Sequence, residues 1–295
     1  MDSYSKTMSD HHVDYSIEYY SKNTYKETAT EGIFEFNVSP CNAEGQILVD
    51  FSIKQTLSDS VFRQSNLFGF EINRIRSTTK FEEFYFRYKA RVQKTKMQLP
   101  AIPLLSLEEE LAELLSDQFF INHHMFLCPS FYTRLPEQQL SLVPVYKKDV
   151  SALEYLQKLN NHVHASMKYE TNSTSVTTKA SDALAISKGV CQDFAHVFIA
   201  MARYNGIPAR YVSGYLHQGI HYVGSSFMHA WVEAYVPGMG WVGFDPTNNI
   251  MVDEHFIKVS HGADYADCSP IKGVLRTNGD SVMAYDVKVM SQHSQ

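Results

Sequence analysis

The stretch Gly189-Val190-Cys191-Gln192-Asp193-Phe194-Ala195-His196 sets a cysteine where a glycine-stopped segment gives way to a helix. Phe194, Val197, Phe198 and Met201 follow at i, i+3, i+4 and i+7, and Gly206 then Pro208 end the period. This predicts a helix over 191–205 with Cys191 in its first turn. Backbone N–H groups there lack intrahelical partners, and the helix dipole favours negative charge. Both effects favour the thiolate, the nucleophilic form of cysteine. Cys191 shares a face with Phe194, Ala195 and Phe198, so its sulfur is expected to be buried at the bottom of a cleft. Its own N–H is placed to meet an oxyanion on an attacked carbonyl.

Working outward, Ala180–Ser187 reads as a short helix, and strands are expected at Ala209–Tyr215, His229–Tyr235 and Gly240–Asp245. Within the second of these, Ala230, Val232, Ala234 and Val236 face one way, a small apolar surface suited to packing on a helix. His229 opens that strand, where a side chain can reach a helix N-terminus. The turn Pro237-Gly238-Met239-Gly240 makes the last two strands a hairpin, which returns Asp245 to the side of His229. Asp245 is then expected to hold the ring through an Nδ1–H···carboxylate bond, completing a nucleophile, base and orienting group.

Other residues of the same types have plainer readings. Asp193 complements the helix dipole, and its charge would oppose a thiolate at Cys191 if it acted directly. His196 is turned off the nucleophile's face and is expected to bond elsewhere. His217, His221 and His229 have a spacing that invites zinc, but neither CxxC nor HExxH accompanies them in a chain with 13 histidines, and no metal is expected. Trp231 and Trp241 read as sheet packing, Glu108-Glu109-Glu110 as a charged helix start, and Cys41, Cys128 and Cys268 as packing residues.

The chain upstream is of a different character. Val13, Tyr15, Ile17 and Tyr19 alternate with polar residues, as do Ile47, Val49, Phe51 and Ile53, and again Phe84, Phe86, Tyr88, Ala90 and Val92. Half-buried antiparallel strands and a β-sandwich follow from that period of two. Ser106 with Glu109, and Ser151 with Glu154, mark two helix starts, and the second helix runs through Leu156, Leu159, Val163 and Met167. Proline punctuates 127–146, and Val282–Met290 reads as a closing strand. The expected order is a β-rich domain at 1–100, a helical connector at 101–150 and a catalytic domain at 151–295.

Composition bounds the rest. The 295 residues are 44% hydrophobic and 20% charged, the balance of a globular chain, and the net charge of -6 comes without any basic run. Nucleic acid is therefore not an expected partner. No stretch reaches the roughly 20 apolar residues of a membrane span, and the N-terminus shows no apolar leader. A cytoplasmic address and reduced thiols are the corresponding expectations.

Residues 178–249 resemble the core of the transglutaminase-like superfamily. The resemblance rests on Gly189–His196, on Gly206-Ile207-Pro208-Ala209-Arg210-Tyr211-Val212-Ser213-Gly214-Tyr215, on His229-Ala230-Trp231-Val232-Glu233, and on Gly240-Trp241-Val242-Gly243-Phe244-Asp245-Pro246-Thr247. Gly262–Pro270 is similar to a loop that follows that core, and the bacterial branch of transglutaminase-like cysteine proteases also has a β-rich N-terminal region. The resemblance implies a papain-like α+β fold and a triad carried by Cys191, His229 and Asp245. It further implies acyl transfer on amide or isopeptide bonds through a thioester, as a protease or amidase acting on peptide or protein. Transamidation of protein glutamine and a non-catalytic peptide-binding scaffold are the alternatives. No cofactor is expected, and no EF-hand-like cluster suggests calcium.

Overall fold

The structure, a computed structural model, describes residues 12–57, 60–96, 105–217 and 221–292. The first part is antiparallel β: β1 (His12–Ala29), β2 (Glu31–Phe36), β3 (Gln46–Gln55), β4 (Phe62–Ser65), β5 (Glu71–Ser77) and β6 (Phe81–Thr95). Next come α1 (Leu107–Leu114), α2 (Asp117–Leu127), a 3₁₀ turn at Glu137–Leu142 and α3 (Ala152–Ser166). The segment that carries the decisive motifs follows as β7 (Lys168–Tyr169), α4 (Ala180–Ile186), β8 (Lys188–Gly189), α5 (Cys191–Tyr204), β9 (Ala209–Leu216), β10 (His229–Val236) and β11 (Gly240–Asp245). The chain closes with β12 (Ile250–Met251), β13 (Phe256–Gly262), α6 (Tyr265–Cys268), β14 (Ile271–Arg276) and β15 (Ser281–Gln292).

Local signals account for several boundaries. Ser106 and Glu109 form the expected capping box: Ser106 Oγ accepts from the Glu109 N–H at 3.3 Å, and Glu109 Oε2 accepts from the Ser106 N–H at 2.8 Å. Ser151 caps α3 through the Glu154 N–H at 3.2 Å. α4 ends at Ser187, which itself takes the left-handed conformation (φ 51°), ahead of Gly189.

Two four-stranded antiparallel sheets, ordered β15-β1-β6-β3 and β14-β2-β5-β4, share one apolar cluster. Tyr15, Ile17, Phe84 and Phe86 come from the first, and Phe34, Phe36 and Ile75 from the second. The last two strands of the stretch 151–295 therefore join sheets begun by residues 12–95. β15 pairs with β1 from Asp14↔Gln292 to Tyr25↔Ser281, and β14 pairs with β2 from Ile271↔Phe36 to Arg276↔Glu31. The alternating pattern of Val282–Met290 marks a strand but carries no information about a partner more than 250 residues away.

The third sheet, five-stranded and ordered β12-β11-β10-β9-β13, holds α5 against one face. Phe194, Val197, Phe198 and Met201 of α5 meet Ala230, Val232 and Ala234 of β10 in a separate cluster, with Phe198 stacked on Phe244 at 5.6 Å. The small β10 residues let the helix approach closely, as their alternation predicts.

Direct bonds tie this sheet to the N-terminal part. Tyr215 Oη donates to the Val38 carbonyl at 2.6 Å, and Gln46 exchanges two 2.8 Å bonds with the Lys258 backbone. Beneath them Glu233 lies partly buried between Arg210 and Lys258, with Nζ of Lys258 2.7 Å from Oε1. Burial opposes the Glu233 carboxylate, but the two cations outweigh it and bring its pKa down to about 2. No helix among the described residues is long and apolar enough to cross a membrane.

Candidate active site

Cys191 opens α5, as its motif predicts, and the helix start is held from within. Asp193 reaches back so that Oδ2 accepts the Val190 N–H at 2.8 Å and the Thr174 hydroxyl at 2.6 Å. Burial raises the Asp193 pKa while these two donors favour its charged form. The residue thus fixes the turn from which Cys191 emerges and is spent on structure, in keeping with its plain reading. Cys191 differs from expectation in depth. Its side chain is only partly buried and lines the floor of an open cleft.

His229 is fully buried at the start of β10, and Asp245 is fully buried at the end of β11. The hairpin brings them together: His229 Nε2 lies 2.8 Å from Asp245 Oδ2. The contacting ring nitrogen is Nε2, not the Nδ1 expected from the sequence. The side chain enters from the strand's first residue with its far edge toward β11. Nδ1 has no hydrogen-bond partner of its own, and the remaining side chain acting on the ring is that of Cys191, which favours its protonated form. Burial opposes the imidazolium. The Asp245 charge, its hydrogen bond and the Cys191 contact outweigh burial and raise the His229 pKa above the usual histidine value.

Asp245 is itself held in place. Oδ1 accepts the Thr247 N–H at 2.9 Å and the Asn248 N–H at 3.3 Å, so the Asp-Pro-Thr-Asn turn folds back on its own carboxylate. Asn248 adds a third element that the sequence reading missed. Its Nδ2 donates to Asp245 Oδ2 at 2.7 Å and to the Val223 carbonyl at 3.2 Å, while its Oδ1 accepts the Val223 N–H at 2.9 Å. The amide therefore latches the 221–228 loop to the carboxylate. Gly224 in that loop sits over the imidazole: its φ is +93°, and a Cβ there would lie 2.5 Å from His229 Nδ1. An Asn beyond an Asp-Pro turn is the available sequence signal, but only the crossing loop gives it meaning.

Beneath the ring the packing is close. His229 pairs with Gly214 across β9 and β10, and Trp231 stands two residues on with its ring centre 6.4 Å from that of His229. A Cβ on Gly214 would lie 2.3 Å from the Ile257 carbonyl oxygen and 2.4 Å from the Trp231 ring, so the Ser-Gly-Tyr motif admits the indole that supports His229.

The other candidate residues lie elsewhere. His196 is fully buried, stacks on Tyr132 at 5.1 Å and accepts the Tyr265 N–H on Nε2 at 3.1 Å. Burial, with Arg203 nearby, holds its pKa down to about 3, so it braces the loop after β13 as a neutral ring. Burial raises the thiol pKa of both Cys41 and Cys268. His217 stacks on His255 and stands edge-on to Tyr15. Trp241 lies under the Arg210 guanidinium at 4.0 Å. Among the described residues, the cluster with ligand-like spacing is Asp253, Glu254 and His255, a set of partly exposed neighbours.

The cleft above Cys191 encloses about 410 Å³. One wall comes from the segment that carries Cys191 through Tyr169, Thr171, Gln192 and Ser213. The other comes from the N-terminal sheets through Tyr19, Ile271, Met283 and Tyr285.

Residues 143–246 match the family described as the transglutaminase-like superfamily. An uncharacterized protein of Mycobacterium tuberculosis strain H37Rv is 37% identical over 148 residues, 47% of each chain. One of Mycobacterium leprae is 43% identical over 117 residues, 38% of this chain and 40% of that one. A protein-glutamine gamma-glutamyltransferase of Pseudomonas aeruginosa is 35% identical over 68 residues, 21% of this chain and 10% of that one. The chain spans about half the length of the mycobacterial relatives. The solved structure of a "putative cysteine protease" from Cytophaga hutchinsonii superposes with a TM-score of 0.76 at 24% identity, covering 96% of this chain and 92% of that one, and so shares the fold. The match reaches from Val143 to Pro246 and takes in Cys191, His229 and Asp245; this part of the chain is a transglutaminase-like domain.

Proposed function

We propose that this chain is a cysteine-nucleophile enzyme that transfers acyl groups from amide or isopeptide bonds, with water as the usual acceptor. The observation that carries this reading is the fully buried His229, bonded to Asp245 and lining the same cleft as the helix-start thiol of Cys191. In the proposed cycle the Cys191 thiolate attacks the amide carbonyl, and the developing oxyanion meets the N–H at the start of α5. Protonated His229 gives its proton to the leaving amine, which departs and leaves a thioester on Cys191. Neutral His229 then takes a proton from water as it attacks the thioester, releasing the acid and restoring the thiolate beside protonated His229. Asp245 keeps the ring oriented and stabilises the imidazolium.

The two N-terminal sheets around one apolar cluster support reading that region as a β-sandwich, completed by β14 and β15. Transamidation is the second reading, favoured by the likeness of 68 residues to the Pseudomonas transferase. It differs only in an amine taking the place of water.

Trapping separates these outcomes. Wild-type protein mixed with a peptide amide and quenched in acid should carry an acyl adduct on Cys191 that hydroxylamine removes, and Cys191→Ala should carry none. Added primary amine captured in the product would favour the transferase. Equal adduct in Cys191→Ala would overturn the assignment.

A further inference from the structure

The walls of the cleft differ in chemistry from the rest of the surface. Among the described residues that line it, Cys191 and His229 are the sole titrating side chains besides tyrosines, and none is Asp, Glu, Lys or Arg. In a chain of which 20% is Asp, Glu, Lys or Arg, a mouth lined by none of them among the described residues is a selective feature. Apolar groups are instead left exposed there. Phe227 is 46% exposed, Met283 47%, Tyr285 42% and Val176 57%, on three separate segments that converge on the opening. Phe227 and Tyr285 meet across it with ring centres 5.3 Å apart, joining the loop latched by Asn248 to the last strand of the chain. Apolar side chains exposed together beside a nucleophile mark an occupant that buries them.

We infer that the cleft selects a peptide segment whose residue beside the scissile amide is uncharged and apolar or aromatic, and that β15 supplies this selectivity through Met283 and Tyr285. The inference deepens the acyl-transfer reading of the site and rests on it. A charged side chain entering this cleft would lose its hydration and find no counter-charge outside the Cys191–His229 pair, a cost that apolar side chains escape. Thr171, Asn172, Gln192 and Ser213 supply neutral donors and acceptors for the backbone of such a segment. The cleft volume of about 410 Å³ suits one or two side chains of an extended peptide. Selectivity is thus placed on a strand remote in sequence from the triad.

Binding to full-length Cys191→Ala, followed by fluorescence anisotropy, tests this without requiring turnover. Labelled hexapeptides identical except for one central Phe, Leu, Lys or Glu should rank with Phe and Leu at least about tenfold tighter than Lys and Glu. Adding Met283→Glu should weaken the Phe peptide and bring the Lys peptide level with it or ahead. Phe227→Glu on the opposite wall gives the same readout should β15 not tolerate the change. Equal binding of all four peptides, tighter binding of the charged ones, or no binding would overturn the inference. Iodoacetamide labelling of wild-type protein in parallel keeps the two claims apart. Selective labelling of Cys191 without side-chain preference leaves acyl transfer standing and removes the selectivity. Preference with an unreactive Cys191 does the reverse.

Discussion

His229 and Asp245 meet at 2.8 Å between Nε2 and Oδ2, with neither side chain exposed to solvent. A buried pair of this kind is held by mutual dependence, since removing either partner strands the other. Asp245→Asn keeps the shape and removes the charge. Turnover should fall on the order of 10³- to 10⁴-fold with a smaller change in KM, by analogy with the loss of an orienting carboxylate in serine proteases. Asp245→Ala should also destabilise the fold by roughly 3–5 kcal/mol, read from the denaturant midpoint.

The same pair sets the pH behaviour. Its net effect raises the folded-state pKa of His229, so the folded protein binds this proton more tightly than the unfolded chain. The resulting stabilisation is fully present below the ordinary histidine pKa of about 6.5 and is lost as pH rises through the raised folded value. The alkaline limb of kcat/KM should therefore lie above neutrality in wild type. In Asp245→Asn it should move toward lower pH, because the main influence opposing burial of the charged ring is then gone. An unmoved limb would show that His229 is not the titrating group.

Asn248 is a positioning residue, acting on the site through Asp245 and the Val223 backbone. Asn248→Ala should lower kcat by about 10- to 100-fold, since small displacements of reacting groups are costly. The melting temperature should change little because the residue is partly exposed. Asn248→Asp sets a second carboxylate against Asp245 and should be worse than alanine at neutral pH and closer to it in acid. A merely structural role would give the two variants the same pH profile.

Gly214 and Gly224 separate fold from chemistry. Gly214→Ala forces a Cβ against the Ile257 carbonyl and the Trp231 ring and should cost on the order of 1–3 kcal/mol or more of stability. Gly224→Ala lies in a partly exposed loop, so the melt should shift less than for Gly214→Ala despite the left-handed φ of +93°, yet its Cβ displaces the His229 ring and activity should collapse. Thermal melts and peptide-amide turnover measured on both variants check the contrast.

The placement of the three candidate residues was legible because each sits at a local signal: Cys191 after a glycine stop, His229 at the head of an alternating run, Asp245 before a proline. α5 and β11 fall where their periods place them, and β10 runs one residue beyond. What the sequence did not carry is what crosses between distant segments. An alternating pattern gives Tyr285 and Met283 a face but no neighbour, so the pairing of β15 with β1, and with it one wall of the cleft, was not readable. The same holds for Asn248, whose partners stand 25 residues upstream in the loop at Val223. Spacing along a hairpin likewise does not say which ring nitrogen of His229 faces Asp245.

The assignment of Cys191 as the nucleophile paired with His229 is tested most directly by alkylation. Native protein treated with limiting iodoacetamide between pH 5 and 9, followed by peptide mass mapping, gives a rate for each of Cys41, Cys128, Cys191 and Cys268. Cys191 should label far faster than the other three, keep its reactivity at acid pH, and lose that advantage in Asp245→Asn. Labelling of Cys191 no faster than Cys128, with the ordinary alkaline rise of an unassisted thiol, would contradict a thiolate paired with His229.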